Sequence, residues 1–182
     1  MKTFLVTGSI VTLLAASALV AQETPVFPKP QKEHEWLMQF VGEWESDSKA
    51  SFAGQQMECK GTIKSEMLGG FWVINEMKIE MMGDQMVGIQ TVGYDPGSQK
   101  YVGTWVDSMT NHLWKYEGSV DDTGKILTLQ AEGPNMMSPG KTAQFRDIYE
   151  FKSKDHIAIS SDMQGEDGKW VTFMSGDARR KK

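Results

Sequence analysis

Residues 71–82 read FWVINEMKIEMM, and their two interleaved halves decide the fold. The odd positions hold Phe71, Val73, Asn75, Met77, Ile79 and Met81, whereas the even ones include Glu76, Lys78 and Glu80. Successive side chains leave a β-strand on opposite sides, so an apolar face alternating with a charged one marks a half-buried strand. The same pattern repeats on both sides of this stretch. Runs of about ten residues, rich in β-branched and aromatic types, cover 43–53, 56–66, 71–82, 85–94, 100–109, 112–120, 125–132, 142–152, 155–163 and 169–177. The links between them include LGG, GD, DPGSQ, DDTG and GEDG, chemistries suited to tight turns.

Links this short permit only antiparallel neighbours, which makes the topology an up-and-down meander. A ten-stranded meander leaves two unpaired edges unless it closes on itself. The expected fold is therefore all-β: a ten-stranded antiparallel up-and-down barrel, calycin-like, with a short N-terminal helix. Barrel diameter grows with strand number, so ten strands leave a lumen with room for a small ligand. The longer link, GPNMMSPG, has the length for a small lid.

The helix is expected between Gln31 and Phe40, where Trp36, Leu37 and Phe40 share a helical face. Three prolines in QETPVFPKPQKE, residues 22–33, favour an extended arm before it. Residues 1–21, MKTFLVTGSIVTLLAASALVA, place one lysine before an apolar run ending in small residues, the layout of a secretory signal peptide cleaved after Ala21 or Ala18. The alternative, an uncleaved anchor, has barely the length to span a bilayer and is interrupted by Thr, Ser and Gly. The expected organisation is a leader at 1–21, an arm at 22–33, one barrel domain at 34–179 and a solvated basic tail at 180–182. The protein is then exported, periplasmic or secreted, with no stable membrane insertion once the leader is removed.

The formal charge of −5, more negative still without Lys2, argues against a nucleic-acid partner. A single cysteine, Cys59, cannot form an intrachain disulfide, so stability rests on packing and strand pairing. The three histidines, His34, His112 and His156, lack metal-ligand spacing, and no serine or cysteine carries a nucleophile motif. No metal site is expected. Methionines cluster in EMKIEMMGDQM, Glu76 to Met86; thioethers of this kind can hold Cu(I), but flexible core filling is the ordinary use.

His34-Glu35-Trp36-Leu37 followed by Gly42-Glu43-Trp44 resembles the start of the bacterial family called domain of unknown function 1579. Further features of that family recur in order: Met67 to Phe71, Gly93-Tyr94-Asp95, Lys100-Tyr101, Trp105-Val106-Asp107, and Gly118 followed by Asp121 to Gly124. The resemblance runs from Gln31 to Arg179 and supplies no reaction. More distantly, Gly-x-Trp after a short helix resembles lipocalins and the ten-stranded nitrobindins, which bind small apolar molecules or haem inside a barrel. That likeness implies that Trp44 plugs the closed end while Gly42 lets the chain turn in tightly. It also implies a late histidine for haem, a place that only His156 fills.

The most unusual composition lies in YVGTWVDSMTNHLWKYEG, Tyr101 to Gly118. An even-length hairpin loop puts Tyr101, Trp105, Asp107, His112, Trp114 and Tyr116 on one face. A two-residue turn at Thr110 and Asn111 would further set Trp114 opposite Asp107 and Trp105 opposite Tyr116. Such a face is too polar for an ordinary core and too aromatic for a solvated surface, and mixed linings of this kind are what small-molecule cavities use. On residues 141–151, KTAQFRDIYEF, the face carrying Phe145 adds Asp147 and Tyr149 to the set, leaving Arg146 outside. The expected function is binding of a small, partly apolar ligand by these eight residues, with no cofactor. Three alternatives remain open at this point. One is haem or another porphyrin held by His156 or His112. Another is a cavity enzyme using Asp107 with His112 as acid and base. The last is a structural or protein-contact module. Oligomeric state is not legible here.

Overall fold

The computed structural model describes residues 26–52, 54–81, 83–135 and 137–182. The leader expected at residues 1–21 lies outside them. A five-residue α-helix, α1 (Lys32–Trp36), runs into a single 3-10 turn (Leu37–Phe40). Ten strands follow: β1 (Gly42–Phe52), β2 (Gln55–Leu68), β3 (Trp72–Met81), β4 (Asp84–Asp95), β5 (Lys100–Asp107), β6 (Trp114–Val120), β7 (Ile126–Pro134), β8 (Thr142–Ser153), β9 (His156–Gln164) and β10 (Trp170–Arg180). Each pairs antiparallel with its neighbours in sequence, and β1 also pairs with β10, so the barrel closes and no edge strand remains. All ten expected strands are present, and no end lies more than three residues from its expected place.

Register fixes what faces inward. Trp44 pairs with Ile63, Ile63 with Met77 and Met77 with Gly88, which places the odd residues of β2 and β3 and the even residues of β4 in the lumen. The face expected to be apolar in residues 71–82 is thus the inner one. In β9 and β10 the register slips between Thr172 and Met174, inserting Phe173 as an extra residue. A bulge of this kind bends its strand and raises local twist.

The helical segment plugs one end. Trp36 donates its indole N–H to the carbonyl of Gly124 at 2.8 Å, and Tyr101 donates its hydroxyl to the carbonyl of Glu33 at 3.1 Å. The side chain of His34 accepts the backbone N–H of Gln31 at 3.0 Å and packs edge-on against Phe71 and Tyr94. Beneath the helix, Leu37, Trp44, Val73, Val92, Leu127 and Ala178 are at most 1 % exposed. Each fully buried large apolar side chain contributes about 1.5–3 kcal/mol, which makes this half of the barrel its stabilising core.

Trp44 closes the plug, as the lipocalin-like signature implies. Its indole N–H donates to the carbonyl of Phe40 at 2.8 Å. Gly42, at φ +131°, sits where any Cβ would collide with the guanidinium of Arg180. That arginine corrects one expectation. The basic C-terminus is not wholly a solvated tail, because Arg180 belongs to β10 and donates to the carbonyls of Val41, Gln39 and Lys154. Orphan carbonyls where the helical turn ends recruit it there.

Candidate functional site

The two halves of the barrel are built differently. In the helix-plugged half, inward side chains are packed to near-zero exposure. Toward the open end, inward residues such as Ser46, Ser48, Ile79, Trp105, Trp114, Asp147, Ile159 and Met174 keep accessible surface. The side chains there are less completely buried than those of the plugged half. Small residues are concentrated on one side: Ser46, Ser48, Gly61 and Gly176 line the β10–β1–β2 side through their register, across from the tryptophans of β5 and β6.

A polar layer separates the halves. Asn75 Nδ2 donates to Gln90 Oε1 at 3.0 Å, and Gln90 Nε2 donates to the hydroxyl of Tyr149 at 2.8 Å. Because β4 and β8 are not neighbours, this second bond crosses the barrel interior. Tyr116 on β6 donates its hydroxyl to Asp147 Oδ2, and Ser161 Oγ donates to Asp147 Oδ1 at 2.6 Å. Together these side chains form a floor beneath the open half. Ser65 and Asn75 leave Oγ and Oδ1 without a partner, and Ser46 Oγ is likewise unpartnered. Buried polar atoms without partners are costly, so a floor of this kind is held against the interests of stability.

Asp147 is the electrostatic centre of the floor. Burial pushes its carboxyl above the usual range, hydrogen bonds from Ser161 and Tyr116 oppose that, and the nearby charge of Asp162 adds to it. Burial likewise raises the hydroxyls of Tyr149 and Tyr116, with the charge of Asp147 as the next cause for each. Asp147 nonetheless retains some accessible surface.

Above the floor, two indoles form a wall. Trp105 and Trp114 are direct cross-strand partners. Each lies against a glycine: a Cβ at Gly88 would collide with the Trp105 ring, and one at Gly133 with the Trp114 ring. Phe145 meets Trp114 edge-on at 4.9 Å between centroids, and His112 does the same at 4.9 Å from the other direction. His112 Nε2 is buried with no hydrogen-bond partner.

The eight residues expected to share a site do face inward or sit at the mouth, but they divide among three places. Tyr101 belongs to the sealed plug, where it also packs on Trp36 and Tyr94. Tyr116, Asp147 and Tyr149 are in the floor. Trp105, Trp114, Asp107 and His112 stand at the open end. The hairpin loop is even, so the shared face stands, but it is longer than two residues: β5 ends at Asp107 and β6 begins at Trp114. Pairing shifts accordingly, setting Trp105 opposite Trp114 and Gly103 opposite Tyr116. Trp105, not Trp114, donates its indole N–H to Asp107 Oδ2, at 2.9 Å. Asp107 also accepts the backbone N–H groups of Met109 and Thr110, both at 2.8 Å, and the Thr110 hydroxyl. It caps the loop, since a carboxylate that binds its own downstream amides forms a turn.

Asp107 and His112 share no hydrogen bond among these contacts, so the acid and base pairing lacks its geometry. His156, which the haem alternative would use, lies elsewhere. It sits on the outer parity of β9 and is bound to Asp177, which turns it away from the lumen where a porphyrin would lie. Arg146 faces outward as expected, donating to Asp162 Oδ2 at 2.7 Å and stacking 4.5 Å over Trp170. No group of acids, histidines and cysteine able to hold a metal occurs among the described residues.

Asn75, Gln90, Ser65 and Ser161 were missed as site residues. The signal was available: each is a polar residue on the inner alternation of its strand, as Asn75 is between Val73 and Met77.

The architecture defines the class: a calycin-like closed barrel, plugged at one end by a helix, with a polar layer across its interior and paired tryptophans toward the other end. The chain belongs to the family of proteins of unknown function DUF1579, whose model matches residues 29–180. No curated protein matches it. Among solved structures it is similar to Rv2717c from M. tuberculosis, with TM-score 0.61 at 10% identity, covering 85% of this chain and 100% of that one. It is also similar to the S-type phycobiliprotein lyase CPES from Guillardia theta, with TM-score 0.54 at 15% identity, covering 84% and 99%. Identities this low establish a shared fold.

Proposed function

We propose that the protein is a non-covalent carrier or receptor for a small, partly apolar molecule held in the open half of the lumen. The observation that carries this reading is the contrast within one barrel: a packed apolar plug, then a polar floor, then inward aromatic residues with accessible surface. A barrel whose interior served only stability would continue the apolar packing upward. Trp105, Trp114 and Phe145 supply contact area to the ligand's apolar body, and the floor supplies orientation. Structural likeness to a phycobiliprotein lyase, a protein named for handling a pigment-bearing partner, supports a ligand chamber without identifying the ligand. The leader-like sequence at residues 1–21 supports action outside the cytoplasm, which sequencing the N-terminus of the protein recovered from its native compartment would test.

Calorimetric titration with a neutral aromatic such as naphthalenemethanol tests the site. Binding should be saturable and weakened at least about tenfold when Trp105 and Trp114 are both replaced by alanine, given 1–3 kcal/mol for comparable aromatic contacts. Absence of saturable binding by such molecules, or binding indifferent to both tryptophans, would sink the reading.

A further inference from the structure

We infer that the lumen is built for ligands that deliver a hydrogen-bond donor to Asp147, a protonated amine above all, and that it rejects carboxylates. This rests on the lumen-binding reading and specifies the chemistry of its ligand.

Beyond the plug, the charge facing the lumen is of one sign. Among the described strand residues on the inner parity there is no lysine or histidine, and the one arginine is Arg180, at the plugged end opposite Trp44. The other charged residues on that parity are acidic: Asp84 at the rim, Asp107 and Asp147. Asp107 is consumed by its loop, where it accepts four hydrogen bonds. Asp147 accepts only two, one on each oxygen, from the neutral hydroxyls of Tyr116 and Ser161. A carboxylate has about four lone-pair sites, so each oxygen keeps capacity for another donor.

The cations that might have neutralised it are committed elsewhere. Arg146, next to it in sequence, leaves on the opposite face and is engaged by Asp162 and Trp170. Arg180 is locked into the plug, 4.0 Å over the ring of Trp44. His112 packs on Trp114 toward the open end, away from the floor. A buried carboxylate with no cation is expensive to keep, and burial does raise its protonation tendency here. A ligand ammonium or N–H above the floor would relieve that cost, whereas a ligand carboxylate would meet like charge and no cation. With Arg180 held in the plug, this lumen has no arginine beside Asp147 of the kind that captures a ligand carboxylate.

The test uses three naphthalene probes of one shape in calorimetric titrations near neutral pH: naphthylmethylamine as cation, naphthalenemethanol as neutral donor and naphthoate as anion. The amine should bind at least about tenfold more tightly than naphthoate, as a charge-assisted hydrogen bond permits. In Asp147→Asn the amine should fall to the affinity of the alcohol, while the alcohol itself changes less than about twofold. Naphthoate binding as well as the amine would overturn the inference and leave the lumen-binding reading standing. An amine preference that survives Asp147→Asn would overturn it too. Failure of all three probes would remove both. The wild-type ratio is decisive by itself should the variant not fold.

Discussion

The guanidinium of Arg180 lies 4.0 Å above the ring of Trp44, so the last strand locks the first strand's tryptophan into the plug. This relationship closes the barrel at the end where the helix sits. It joins residues at opposite ends of the chain, and the same arginine donates to the carbonyls of Val41, Gln39 and Lys154. Closure and plugging are therefore one structural event.

Arg180→Ala should lower stability by about 2–3 kcal/mol, from lost charge-assisted hydrogen bonds and the cation–π contact. For a chain of this size that is a fall in melting temperature of roughly 4–12 °C. Arg180→Lys should restore little, because an ammonium cannot reach three separated carbonyls from one planar fork. Thermal melts of both variants check this, and a melting temperature unchanged by the alanine would show that the lock is dispensable.

Asp147→Asn should stabilise the fold near neutral pH. The sign follows from the direction of the shift: burial raises the carboxyl's folded value above its unfolded one, so the folded state holds the proton more firmly. Stability from this group is fully present below the unfolded carboxyl value, about 3.9, and is lost as pH rises through the raised folded value. Asparagine never ionises and keeps an oxygen for the Tyr116 hydroxyl. The variant should therefore melt higher than the wild type near neutral pH, by about 2–4 °C for each kcal/mol removed, with the gap closing in acid. A lower melting point at neutral pH would mean that the carboxylate stabilises the barrel on balance.

How much of this was legible beforehand depends on which force placed each residue. Strand existence and inward parity follow from alternation along a single strand, and residues 71–82 display both. Parity alone predicts that Asp147 and Tyr149 face in and Arg146 faces out. Pairing partners require the loop's actual length, which depends on how Asp107 captures the amides of Met109 and Thr110. A turn residue can be recognised in sequence, but the number of residues its cap withdraws from the strands is decided by tertiary contacts. The Gln90 to Tyr149 bond is harder still, because it joins strands that are not neighbours. For His156 the open haem alternative came from a distant likeness, whereas its parity in β9 turns it outward toward Asp177.

Asp107→Ala and Asp107→Asn should separate a capping role from a chemical one. Alanine removes all four accepted hydrogen bonds and should cost about 1–2 kcal/mol through fraying of the β5–β6 loop. Asparagine retains an oxygen for the amides of Met109 and Thr110, so it should lie within about 0.5 kcal/mol of the wild type. Denaturant melts measure both. The alanine variant should also shift tryptophan emission to longer wavelength, as Trp105 loses the partner of its indole N–H. Equal destabilisation by asparagine and alanine would contradict the capping account.

Gly88→Ala and Gly133→Ala probe the aromatic wall from behind. Each glycine gives its tryptophan a surface with no side chain to meet, so the indole rests on the strand. A methyl group at either place collides with that ring, Trp105 in one case and Trp114 in the other. The ring must then move into the lumen or the strands must part, and overpacking of this sort costs about 1–3 kcal/mol. Binding of naphthalenemethanol should weaken along with stability, because the displaced ring takes the ligand's space. Combining Gly88→Ala with Trp105→Leu removes the collision and should recover most of the lost stability without recovering the binding. That split, with the melting point restored and the affinity still reduced, identifies Trp105 as a wall of the ligand chamber. Recovery of both together would show that the indole serves packing alone.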